Sequence, residues 1–128
     1  MRALNFVMKY IPREKLKLYL KMGRELSQFI SIGQYFDSVT FDWVRMTGSE
    51  QNAKIELIRS VDEGDDYYCD VTLFSTIGEI DPEEIKEYIG SLDNCLAWLE
   101  SELGGSPDKF VGKGMIDQEY EEYVESRE

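Results

Sequence analysis

Asp62, Glu63, Asp65, Asp66 and Asp70 form the densest set of oxygen ligands in the chain, with Tyr67 and Tyr68 standing among them. Carboxylates this close can hold a metal, meet a basic protein surface or, in suitable pairs, move protons. A calcium loop of the EF-hand kind alternates its acids, places glycine sixth and glutamate twelfth, and lies between two helices. Here the flanks read as strands and the spacing differs, so no metal is expected and residues 62–66 read as a solvated hairpin tip. With 26 acids among 128 residues, some carboxylate pair always looks placed for glycoside chemistry, so pairing alone carries no specificity. Tyrosine ringed by polar groups, in contrast, is a residue type that anchors protein interfaces. Asp62, Glu63, Asp65, Asp66, Tyr67, Tyr68 and Asp70 are therefore the expected partner-binding residues, the acids to steer the encounter and a tyrosine to supply desolvated contact.

Other chemistry has little support. Histidine is absent, which removes the commonest general base and the commonest transition-metal ligand. Gly112-Lys113-Gly114 lacks the preceding strand, the glycine spacing and the Ser or Thr of a phosphate loop. Cys69 and Cys95 have no imidazole beside them to lower their pKa and read as core thiols; without a secretory signal they are expected to be free. No catalytic residue and no cofactor is expected.

Charge is unevenly spread. The net charge is −12, yet the first 36 residues carry seven Lys or Arg against Glu14 and Glu25, while the other 92 carry seven against 24 acids. A polyanion is held by clustered Lys and Arg, so nucleic acid is not an expected partner, and a basic protein is. The sequence holds no run of about 18 apolar residues to span a membrane, and Met1 to Pro12 has no cleavage-site pattern, which makes a cytoplasmic location the default expectation.

These residues have to be positioned by a single domain, since one core suits about 100 to 150 residues. Arg2 to Tyr10 alternates loosely and reads as an edge strand or an extended arm. Arg13 to about Ile32 reads as a basic helix striped by Leu16, Leu20, Gly23, Leu26 and Ile30, with Leu18, Met22 and Phe29 off the stripe. The period then changes to two over Val39 to Val44, Ile55 to Val61 and Tyr67 to Ile77, giving an antiparallel meander of three strands, or four with the N-terminal one. Residues 62–66 supply the second turn, with Gly64 free to take positive φ. Asp81, Pro82, Glu83 and Glu84 look like a helix start, Ile85, Ile89, Leu92, Leu96, Leu99 and Leu103 like its stripe, and Gly104-Gly105 like its stop. This predicts one long amphipathic helix over Asp81–Gly105 packed on the sheet. Residues 106–128 form an acidic tail in which Tyr120, Tyr123 and Val124 line one side of a short helix. The expected class is α+β.

Three functions fit these elements. The leading one is a non-enzymatic acidic binding protein, most concretely an inhibitor that neutralises a basic toxin or nuclease, similar in general character to bacterial immunity proteins though without a shared motif. A second is a small acidic secretion-type chaperone, a homodimer burying Leu18, Met22 and Phe29 between chains. The third is a small enzyme using carboxylates and tyrosine, which requires a pocket holding at least two acids with raised pKa.

Overall fold

The computed structural model describes residues 9–127, so the alternating stretch Arg2 to Tyr10 lies mostly outside the described residues. The fold is α+β around a five-stranded antiparallel sheet in the order β4-β3-β2-β1-β5. Its strands are β1 (Leu26–Tyr35), β2 (Ser38–Gly48), β3 (Ala53–Val61), β4 (Lys86–Gly90) and β5 (Val111–Gly112). The helices are α1 (Leu16–Lys21), the single turn α2 (Ile77–Ile80), α3 (Leu92–Leu103) and α4 (Met115–Ser126).

The central pair β2 and β3 follows the predicted alternation, running in register from Thr40 opposite Val61 to Gly48 opposite Ala53. The class and the antiparallel pairing stand as expected, but the sheet has five strands where three or four were expected, and three stretches fold differently. The predicted helix Arg13 to Ile32 breaks at Gly23, which takes φ +79°, a left-handed conformation that ends a helix. Only Leu16–Lys21 is α-helical, and Leu26 onwards is β1. A bulge between Phe29 and Ser31 shifts the register of β1 against β2, which breaks the period-two signature in the sequence. The predicted strand Tyr67 to Ile77 is instead a 3-10 turn at Val71–Leu73 followed by α2. Its buried residues, Val71, Phe74 and Ile77, recur every third position as the segment lies across the sheet.

The predicted helix Asp81–Gly105 divides into a 3-10 turn, a strand and a shorter helix. Pro82–Glu84 makes one 3-10 turn capped by the Asp81 side chain, β4 follows, and the true helix start is Ser91, whose hydroxyl accepts from the Asn94 N–H at 3.1 Å. Ile85 and Ile89 are four apart because they sit on one face of an extended segment, and both are exposed; Leu92, Leu96 and Leu99 are the helical stripe. The stop is where it was expected, with Gly104 at φ +70°.

Two cores result, one on each face of the sheet. Val44, Met46 and Ile55 meet Leu92, Leu96 and Leu99 of α3 and Leu16 and Leu20 of α1 on the first face. Phe41 and Trp43 meet Val71 and Phe74 and then Ile116, Tyr120 and Val124 of α4 on the second. Tyr120 and Val124 thus line the buried side of the expected C-terminal helix. The described part of the N-terminal segment is tied in as well, since Lys9 Nζ lies 2.8 Å from Glu119 and 2.7 Å from Glu122 of α4.

The helix-to-strand division has a direct test in urea denaturation. Leu99→Ala should cost about 2–5 kcal/mol by leaving a cavity, whereas Ile89→Ala, in the same supposed stripe, should stay within about 0.5 kcal/mol.

Candidate functional site

The loop after β3 begins with a clasp. Asp62 has a side chain only 8% exposed and turns inward. It accepts hydrogen bonds from the Tyr120 hydroxyl, from the Tyr123 hydroxyl at 3.0 Å and from Arg127 at 2.6 Å. Arg127 also donates to the Gly64 carbonyl at 3.1 Å, and the Gly64 N–H donates to the Tyr120 hydroxyl at 3.0 Å. Burial, then the bond to Asp62, pushes the Tyr120 phenol well above its ordinary value. Gly64 is not in the left-handed region that the sequence suggested. It is needed for closeness, because a Cβ there would collide with the Tyr68 carbonyl and the Phe74 and Tyr120 rings.

Beyond the clasp the loop turns its remaining acids outward. Glu63 accepts from the Ser75 N–H at 2.9 Å. Asp65 holds the turn by accepting from the N–H groups of Tyr67 and Tyr68 at 2.9 and 3.0 Å, the Asx-turn geometry that a short acid favours. Tyr68 lies against Phe74 with ring centroids 5.1 Å apart, while Tyr67 is 97% exposed. The carboxylates of Asp66 and Asp70 make no hydrogen bond or ion pair among the described residues. Six of the seven predicted residues therefore share one outward loop, and Asp62 anchors it from inside.

The sequence reading did not join this loop to α4. Asp66, Glu121, Val124 and Glu125 line one shallow cleft of about 480 Å³. Asp117 reaches the same loop and accepts from the Val71 N–H at 2.9 Å. Burial and the nearby Asp70 nevertheless outweigh its backbone hydrogen bonds and push its carboxyl above the ordinary range. Cys69 sits in the middle, and its thiol is pushed up by burial and then by Glu121, Asp65, Asp117 and Asp66. A signal was present in the sequence: Asp117, Glu121 and Glu125 are spaced by four and fall on one helix face.

No protein-family model matches the chain, and neither a curated protein nor a solved structure does.

Among the described residues no three His, Cys, Asp or Glu side chains stand in a metal-holding arrangement. Both cysteines are free, Cys95 buried and Cys69 partly so. The other carboxyl displaced upward is Asp42, where burial outweighs Thr40 and Arg59; it lies on the first face of the sheet, Asp117 on the second. A concavity of about 660 Å³ lies apart from the acidic loop, beside β3 and Ile85. Its arginines are already paired, Arg45 with Glu56 at 3.5 Å and Arg59 with Glu84 at 2.9 Å. The acidic loop and α4 offer the opposite situation: carboxylates crowded together around an exposed phenol, suited to receiving cations from outside.

Two measurements check this electrostatic picture. Alkylation of Cys69 by iodoacetamide, followed by peptide mass spectrometry, should be slower than that of free cysteine at pH 7 and accelerate only above the ordinary thiol range; Glu121→Gln should speed it. The Asp117 carboxyl, displaced upward, lowers stability as pH rises from the ordinary carboxylate value through the displaced one. Asp117→Asn keeps the acceptor for Val71 and removes the charge, so urea midpoints should rise relative to the parent at pH 7 and converge with it at acid pH.

Proposed function

We propose that the chain is a non-enzymatic protein-binding module whose acidic face receives a basic protein, most concretely a toxin or nuclease that it neutralises in the manner of bacterial immunity proteins. The observation that carries this reading is the meeting of Asp65, Asp66 and Asp70 with Asp117, Glu121 and Glu125 on one surface. Among the described residues, the one cation bonded into that surface, Arg127, is committed to Asp62. Like charges held this close raise each other's free energy, and Lys or Arg side chains of a partner relieve it. The field of such a face accelerates encounter, by about 10- to 1,000-fold in steered pairs, and loses strength with salt.

Tyr67 supplies what charge cannot. Its ring is free to be covered, and buried tyrosines are among the residues that dominate interface energies. The Asp62 clasp holds the loop in place before contact, which reduces the ordering cost of binding. The chaperone alternative fits less well. Leu18 and Met22 are about half exposed, but Phe29, the third residue it would bury between chains, is already partly buried against the second core, stacked on Phe41 at 4.7 Å.

The test is capture from a lysate of the source organism at low salt with elution by a salt gradient. A single basic protein in stoichiometric amount is expected. Asp66→Asn, Asp70→Asn and Glu121→Gln together should slow its association by about tenfold or more and flatten the salt dependence, and Tyr67→Ala should cost about 1–2 kcal/mol or more, mainly in dissociation rate. A partner retained at high salt and indifferent to all four substitutions would sink the proposal.

A further inference from the structure

The opposite edge of the molecule carries a second surface. β4 is the last strand of the sheet, and its pairing with β3, from Ala53 opposite Gly90 to Leu57 opposite Lys86, uses one side of its backbone only. The outer row of N–H and C=O groups has no strand beside it among the described residues. Natural edge strands are commonly blunted by proline, a bulge, short length or charged side chains, and β4 is five residues long with Lys86 and Glu87 on it. β4 contains no proline, and its pairing with β3 shows no register shift. It is flanked by Ile85, 52% exposed, and carries Ile89, 59% exposed.

We propose that the β4 edge pairs with the β4 edge of a second copy of this chain, antiparallel and centred on Glu87, joining two five-stranded sheets into one of ten strands. A two-fold axis through the sheet keeps the faces of both copies aligned, so odd-numbered residues meet odd-numbered ones. The run Ile85-Lys86-Glu87-Tyr88-Ile89 is then nearly its own complement. Ile85 of each copy stands opposite Ile89 of the other on one face, and Lys86 opposite Tyr88 on the other face. Cross-strand apolar pairs of this kind are the unit that stabilises a sheet.

Among directly opposed residues, the one like-charge pair is Glu87 with its counterpart. Lys54 already lies 3.6 Å from Glu87, so the join places two carboxylates between two ammonium groups. The neighbourhood is also close to balanced, with Arg45, Lys54, Arg59 and Lys86 against Glu56, Glu79, Glu84 and Glu87, although residues 37–128 hold 24 acids against seven basic residues. Repulsion between two chains of net charge −12 therefore acts from a distance, where salt screens it, and not at the contact. Self-association should strengthen with salt. Binding at the acidic loop should weaken, and because the two surfaces share no residue, either can fail without the other.

Sedimentation velocity and light scattering of the full chain, across protein concentration at low and high salt, test the join. The mass should rise from 14.9 kDa toward twice that value with concentration, and further at high salt. Amides of residues 86–90 should exchange more slowly in the concentrated sample. Ile85→Lys and Ile89→Lys, both at exposed positions, should leave the circular dichroism unchanged and weaken association by roughly tenfold or more. A chain that stays monomeric throughout overturns the proposal. So does a dimer untouched by both lysines, which places the interface elsewhere. A monomer whose capture of a basic protein is weakened by the same lysines also overturns it, and assigns the edge to a strand of that partner.

Discussion

β2 is apolar on both of its faces, and that constraint governs the rest of the fold. Thr40 to Val44 are buried in succession, so alternation sends Phe41 and Trp43 to one side of the sheet and Val44 and Met46 to the other. An exposed sheet face of this composition would be unstable in water, and each side needs its own cover. Helices α1 and α3 supply one; the irregular segment through Val71 and Phe74, together with α4, supplies the other. The polar exception is Asp42 on β2. It is held by the Thr40 hydroxyl at 2.7 Å and by Arg59 at 3.3 Å, and Arg59 reaches on to Glu84. A buried carboxylate without those partners would cost several kcal/mol.

The acidic surface is a by-product of that second cover. The loop that leaves β3 has to cross the aromatic face, and α4 has to lie beside it, so the outward residues of both become neighbours. Burial there, and neighbouring carboxylates after it, make Asp117 and the Cys69 thiol resist ionisation. The clasp at Asp62 fixes the loop to α4 through Tyr120, Tyr123 and Arg127. Rigidity and charge therefore arise from the same contact between two segments.

Much of the central sheet was legible in the residues because alternation survives in β2 and β3, where neither strand is interrupted. β1 was hidden by its bulge, which puts Ile30 out of step, and by a helical spacing that continued by coincidence across Gly23. Ile85 and Ile89 mimicked a helix because four residues also span one face of a strand twice over; Gly90 and Ser91 held the counter-signal, a permissive residue followed by a capping hydroxyl. The acidic loop was legible by composition. What Asp62 does was not, because its partners lie 58, 61 and 65 residues away and only the folded chain brings them near. Asp117, Glu121 and Glu125 were visible as a helix face, but nothing local said which loop that face would meet.

The two-sided sheet also distributes its chromophores. Trp43 belongs to the second core, its indole N–H bonded to the Ser60 hydroxyl at 3.0 Å; Trp98 lies against the first, stacked on Tyr88 with centroids 6.1 Å apart. Neither ring touches the other's layer, and the chain has no third tryptophan. Each side of β2 thus carries its own optical reporter. Replacing either indole with phenylalanine leaves an emission signal from one layer alone, and the order in which the two layers loosen becomes a question that fluorescence can answer without an added label.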